Sequence, residues 1–359
     1  MPTKMIAVIL SFFSFFAFWN PNGQPNIIPE TRSYVGEIQD GLVADKYGVW
    51  PTEDFETGSA SFLFGPGLEL LYAVKGFFTS GHVNDGFLVL HKGKIVYENY
   101  PEGWDKDTPH HMYSVTKSVT SALVGIAIAD GYIEGVDQKV ADFYDDVIIA
   151  PGQKSKLDMT IEHLLTMTSG IDYQFDWDAM WQSDDPGAIL FALPQPQAPG
   201  TRYHYSMDAD LLAFLLSKAI GRNLHDYAQE KLFGPLGMTS VEWVETDAGV
   251  TMGGWGISMT PRDMARFGYL YLNHGRWEDT QIIPADYVAI SPPRSKAPRA
   301  YGYLFWNTPQ SPFSSAYEAD GAFGQFITIM PEWDTVIVRT GSEGWANRVV
   351  SCIGDMLGL

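Results

Sequence analysis

Ser114-Val115-Thr116-Lys117 opens a run, Ser118-Val119-Thr120-Ser121-Ala122-Leu123-Val124-Gly125-Ile126-Ala127-Ile128-Ala129, that is uncharged and small or apolar nearly all round. Such a composition predicts a helix buried on most sides, ended by Asp130-Gly131. Residues three apart share a helical face, so the Lys117 amine lies beside the Ser114 hydroxyl at the first turn. Desolvation lowers a lysine's proton affinity, which lets a neutral amine take the serine proton. The helix N-terminus turns backbone N–H groups and a partial positive charge toward any negative charge that develops there. Read without chemistry, the same tetrapeptide is an N-cap serine followed by a lysine that snorkels to water.

Outward from this helix the chain reads as strand at both ends and helix between. Upstream, Phe87-Leu88-Val89-Leu90 and Ile95-Val96-Tyr97-Glu98-Asn99-Tyr100 flank the turn His91-Lys92-Gly93-Lys94, a hairpin signal. Near the C-terminus, Phe326 to Met330 and Thr335 to Arg339 flank Pro331-Glu332-Trp333-Asp334 and form a second hairpin, with a helix expected from about Glu343 to Leu357. Between them, Thr160 caps a short helix, Asp210 to Ala219 reads as an amphipathic helix, Leu224 to Phe233 as another, and Thr260-Pro261 starts a third. The expected fold is therefore α+β: one antiparallel sheet assembled from both termini and flanked by helices, with a mostly helical subdomain inserted.

Composition narrows the function. A hydrophobic share of 45% over 359 residues supplies a large core, and a net charge of −20 disfavours partners with phosphate backbones or anionic headgroups, so no nucleic acid is expected. The single cysteine, Cys352, excludes an intramolecular disulfide, and no histidine spacing suits a metal, so no metal is expected. Lys4 followed by the apolar run Met5 to Trp19 has signal-peptide length, and residues 1–19 are expected to be a removed signal peptide or a retained membrane tether on an exported, periplasmic or secreted protein. Residues 20–80, rich in Pro, Gly and Asp with one helix expected from Gly67 to Gly76, read as an extended arm, and 81–359 as the folded domain.

Two further stretches complete a candidate site. Tyr203-His204-Tyr205-Ser206-Met207-Asp208 precedes the Asp210 helix, and the Tyr205 hydroxyl, donor and acceptor at once, can relay a proton near a lysine. Ala319-Asp320-Gly321-Ala322-Phe323-Gly324-Gln325 enters a strand, where glycine lets a substrate carbonyl approach the backbone and an N–H join that of Ser114 in an oxyanion hole. Tyr173 and Trp177, in an acidic aromatic loop, are candidates for a pocket wall.

In this order the pieces resemble the serine β-lactamase and penicillin-binding-protein superfamily, above all its class C-like esterases and the 6-aminohexanoate-dimer hydrolase branch. The resemblance runs from about Gly86 to Leu359 and includes Leu164-Leu165-Thr166-Met167-Thr168-Ser169-Gly170, Pro235-Leu236-Gly237-Met238, and Gly253-Gly254-Trp255-Gly256 leading to Pro261-Arg262-Asp263-Met264-Ala265-Arg266-Phe267-Gly268. It implies a β-lactamase/transpeptidase-like fold, Ser114 as nucleophile, Lys117 as base, Tyr205 as proton shuttle, and the N–H groups of Ser114 and Ala322 as oxyanion donors. Where the family has Lys-Thr-Gly this chain aligns Ala319-Asp320-Gly321, and where it has the asparagine of Y-x-N this chain has Met207. Both departures disfavour β-lactams and D-Ala-D-Ala peptides. The expected activity is hydrolysis of small carboxylic esters or short linear amides through a Ser114 acyl-enzyme. The alternatives are a β-lactamase or DD-peptidase and a non-catalytic binding or scaffold relative.

Overall fold

The computed structural model describes residues 48–58, 85–294, 300–308 and 315–341. The expected leader, the Gly67–Gly76 helix and the C-terminal helix lie outside them. In chain order the elements that frame the site are β1 (Gly86–His91), β2 (Lys94–Asn99), β3 (His110–His111), α1 (Val115–Ala129), α2 (Ile161–Leu165), α3 (Trp177–Trp181), α4 (Pro186–Ala192), α5 (Asp208–Ile220), α6 (Leu224–Ala228), β4 (Glu242–Trp243), β5 (Ile257–Met259), α7 (Pro261–Leu272), β6 (Arg276–Trp277), β7 (Thr280–Gln281), α8 (Ala285–Ile290), β8 (Trp306–Asn307), β9 (Tyr317–Gly321), β10 (Gln325–Met330) and β11 (Thr335–Thr340).

Both hairpins form where the β-rich runs place them. β1 and β11 then pair antiparallel with Gly86 opposite Thr340 and His91 opposite Thr335. This closes one sheet of order β2-β1-β11-β10-β9-β8 from the two ends of the domain. α7 crosses the sheet, and Gly268 is needed there, since a Cβ at that position would stand 2.5 Å from Val336 Cγ1. Thr260 caps α7 by accepting from the Asp263 N–H, with Pro261 at the first helical position. A small second sheet, β3-β5-β4, has no counterpart in the sequence reading, because strands of two and three residues carry no periodicity.

α1 is the axis of the molecule. Every residue from Val115 to Ala127 is buried. Its hydroxyls are satisfied one by one, as burial of polar groups requires. Ser118 Oγ donates to Leu304 O at 2.7 Å, Thr120 Oγ1 to Gly253 O at 2.8 Å, and Thr116 Oγ1 accepts from Ile257 N at 3.2 Å. Gly125 admits Tyr287, whose ring would stand 2.7 Å from a Cβ.

α5 departs from the amphipathic reading. It is buried from Asp208 through Leu216, so its two aspartates point into the protein rather than to solvent. The described part of the N-terminal segment, 48–58, lies along the domain. Trp50 packs on Tyr269 and Trp277, Arg266 Nε donates to Pro51 O at 2.8 Å, and Thr57 bridges Ile95.

Candidate active site

Ser114 stands at the N-cap position of α1, yet its side chain makes no capping hydrogen bond. No acidic residue lies in the helix's own first turn. The residue before it, Tyr113, is held at φ 47°, in the left-handed region that costs a non-glycine residue about 1–2 kcal/mol. That turn brings the chain from β3 into the helix with the serine at the bend. Its ring meets the ring of Phe323, another residue at positive φ (61°), at 5.0 Å.

Lys117 does not snorkel. It is 1% exposed, and its Nζ stands 3.1 Å from Ser114 Oγ while donating to Gly254 O at 2.6 Å. Burial lowers its pKa from the ordinary 10.5 to about 8, against the opposing pull of the Asp210 carboxylate. One N–H is thus given to Gly254, and deprotonation leaves a lone pair free to face the serine oxygen. The capping-and-snorkelling reading of the tetrapeptide is therefore not what the fold does with it.

Tyr205 arrives on a loop tied to the Thr166–Ser169 stretch. His204 N donates to Met167 O at 2.9 Å, Gly200 N to Thr168 O at 2.9 Å, and Ser169 Oγ to Asp208 Oδ1 at 2.6 Å. This places the Tyr205 ring 4.9 Å from Lys117 Nζ, backed by Trp306 in a stack at 5.8 Å and by Tyr301 edge-on at 6.0 Å. Met207, at the N-cap position of α5, is buried.

The 319–325 stretch enters a strand as expected, and it also closes the strand before it. Asp320 and Gly321 finish β9, Ala322–Gly324 form a 3-10 turn, and β10 begins at Gln325. The reason for glycine at 321 differs from the expected one. A Cβ there would stand 2.3 Å from Met112 O and 3.3 Å from Val115 Cγ2, so the missing side chain lets β9 press against the entry to α1. Ala322 is carried with it to the same end of the sheet. Asp320 is half-buried and acts on Tyr301, whose hydroxyl is raised well above its ordinary range by burial first and then by Tyr205, Tyr203, Asp320 and Asp208.

The aromatic loop behaves in two ways. Tyr173 donates its hydroxyl to Asp208 Oδ1 at 2.6 Å and so helps to fix the start of α5. Trp177 belongs to a ladder in which Phe175, Trp177, Trp181 and Trp255 stack at 5.7, 5.9 and 6.3 Å and reach the residue after Gly254.

Two groups escaped the sequence reading, Asp208 and Asp210. Both are fully buried, and burial raises each carboxyl to about 6 against the hydrogen bonds that hold it. Asp210 Oδ1 accepts from Gly254 N at 2.8 Å and Gly253 N at 3.2 Å. A D-x-D at the start of an otherwise apolar helix, just after the tyrosine, is the signal that would have found them. Among the described residues no cluster suited to a metal ion occurs, and no helix is long and apolar enough to cross a membrane.

The family model described as Beta-lactamase matches residues 77–342. The 6-aminohexanoate-dimer hydrolase of Paenarthrobacter ureafaciens is 25% identical over 293 residues, which cover 72% of this chain and 72% of that protein. Among solved structures, a family VIII carboxylesterase aligns with a TM-score of 0.64 at 18% identity over 81% of this chain and 96% of its own. A penicillin-binding protein homologue from Caulobacter crescentus aligns with a TM-score of 0.63 at 17% identity over 79% and 95%. The fold is thus the β-lactamase/transpeptidase-like one, and with the family model spanning most of the chain, the protein belongs to the Beta-lactamase family of hydrolases.

Proposed function

We propose that this member of the family is a serine hydrolase of small carboxylic esters, with short linear amides as close second substrates. The observation that carries the proposal is the buried Lys117 amine 3.1 Å from Ser114 Oγ, with its pKa brought down to about 8. Ser114 Oγ attacks the substrate carbonyl carbon and its proton passes to Lys117 Nζ. The N–H groups of Ser114 and Ala322 hold the oxyanion. Tyr205 then relays the proton to the departing alcohol or amine, and water, activated the same way, releases the acid and restores the serine. No step needs a metal or cofactor.

Substrate preference is read from the wall. Asp320 and Met207 take the places of a cation and an amide, which removes the grips for a β-lactam carboxylate and its acyl-amide. With the aromatic rings of Tyr205, Tyr301 and Trp306 beside them, they favour neutral or cationic acyl compounds. The relationship to a 6-aminohexanoate-dimer hydrolase supports the amide branch. We further propose export, on the strength of the apolar run Met5 to Trp19. The test is hydrolysis of p-nitrophenyl acetate and butyrate. Ser114→Ala abolishes it on this proposal, and full activity in that variant rules out the nucleophile assignment.

A further inference from the structure

Three features tie Asp210 to the reaction. First, it fixes the segment that receives Lys117. Residues 253–257 are stitched to one face of α1: Thr120 donates to Gly253 O, Lys117 to Gly254 O, and Thr116 accepts from Ile257 N. Asp210 Oδ1 holds the N–H groups of Gly253 and Gly254 from the other side. Second, the fit is close. A Cβ on Gly254 would stand 2.4 Å from Asp210 Oδ2, so the glycine is there to admit the carboxylate. Third, Oδ2 is buried and, among the described residues, has no hydrogen-bond partner. A carboxylate kept dry with one oxygen unsatisfied is costly unless its charge is used.

We propose that Asp210 is the positioning residue of this site: it aims the Gly254 carbonyl at Lys117 and supplies the anion that balances the ammonium formed when Lys117 takes the serine proton. The inference rests on the Ser114–Lys117 reading above. The other titratable groups that face the pair are Tyr205, with its ring 4.9 Å from Nζ, and, farther along, Asp208 and Tyr173, which are bonded to each other. From the sheet side Asp320 acts on Tyr301. The Asp210 carboxylate acts on Lys117 and raises its proton affinity against burial.

The sign follows directly. Removing the anion makes the ammonium harder to form, so Lys117 loses its proton at lower pH and becomes a weaker base. For Asp210→Asn, and for Asp210→Ser as a second uncharged variant that keeps an acceptor oxygen, the rising limb of kcat/KM against pH moves to lower pH by roughly one unit. The plateau of kcat falls by roughly tenfold with KM little changed. The midpoint of the limb does not depend on what fraction of the protein folds, so partial misfolding does not mask it. A plateau that falls while the limb stays in place makes Asp210 a structural residue only and overturns the proposal, as does failure of both variants to fold. Labelling of Ser114 by a fluorophosphonate in the wild type is the control. If Ser114 is not labelled, the underlying reading fails; if it is labelled and the limb does not move, only the role of Asp210 fails.

Discussion

Replacing Lys117 with methionine keeps the length and shape of the buried side chain and removes its charge, which separates what the site costs from what it does. The amine's pKa falls from 10.5 to about 8 on folding. At about 1.4 kcal/mol per unit, holding the ammonium form in the folded protein near pH 7 therefore costs about 3 kcal/mol. Lys117 is 1% exposed, so solvent does little to screen this. Methionine removes the cost but leaves the Gly254 carbonyl without its 2.6 Å donor, a loss of about 1–2 kcal/mol. The net expectation is a variant about 1–2 kcal/mol more stable than wild type near pH 7 and without hydrolase activity. The linkage sign gives a second signature. Between about pH 8 and 10.5 the unfolded lysine is still protonated while the folded one is not, so wild-type stability rises with pH across that window. The Lys117→Met variant lacks both this contribution and the donor to Gly254 O, so the two curves cross at about pH 9–10 and wild type is the more stable above the crossing. Urea unfolding of both proteins near pH 7 and pH 10, at equal m-values, measures it. A variant that is less stable than wild type at both pH values, with a parallel pH dependence, would refute the claim that Lys117 is held against its solvation.

Three other outcomes follow from the same geometry. The kcat/KM for a p-nitrophenyl ester rises with pH through about 8, as Lys117 loses its proton; a profile flat from about pH 6 to 9 would remove the lysine from the rate-determining proton transfer. Gly321→Ala drives a methyl into the space of Met112 O, at 2.3 Å, and costs about 1–3 kcal/mol in stability while misplacing Ala322; a neutral effect on urea midpoint and on rate would contradict the close packing of β9 on the helix entry. Asp320→Asn narrows the preference for cationic or neutral over anionic acyl substrates, measured as a ratio of kcat/KM values. An unchanged ratio takes Asp320 out of the binding wall.

The fold was legible in the chain because its determinants are local. The hairpins around Gly93 and Pro331, the apolar run behind Lys117 and the Thr260-Pro261 cap each state their element locally, and the order strand, helix, strand fixes a sheet closed by β1 on β11. Ser114, Lys117 and Tyr205 were legible because chemistry restricts their types, and the structure brings their side chains together. What was not legible depends on contacts between distant segments. Gly321 reads as an opening for substrate until Met112 is seen to fill the space. Asp210 reads as the polar side of a surface helix until α5 is seen to be buried, since a helical pattern records which residues are polar and not whether a carboxylate has been turned inward to hold a loop. For Tyr173, a candidate for a pocket wall, the sequence holds no sign that its hydroxyl is given to Asp208.

The central claim is that Ser114 becomes acylated with Lys117 as its base. It is tested most directly by treating the purified protein separately with a fluorophosphonate and with a penicillin and mapping any adduct by mass spectrometry. The expected result is one fluorophosphonate adduct on the peptide containing Ser114, absent in Ser114→Ala, with little or no penicillin adduct. A protein that hydrolyses esters but carries its adduct at another residue, or carries none, would contradict the account, and stoichiometric penicillin at Ser114 would keep the nucleophile but reverse the assignment of substrate.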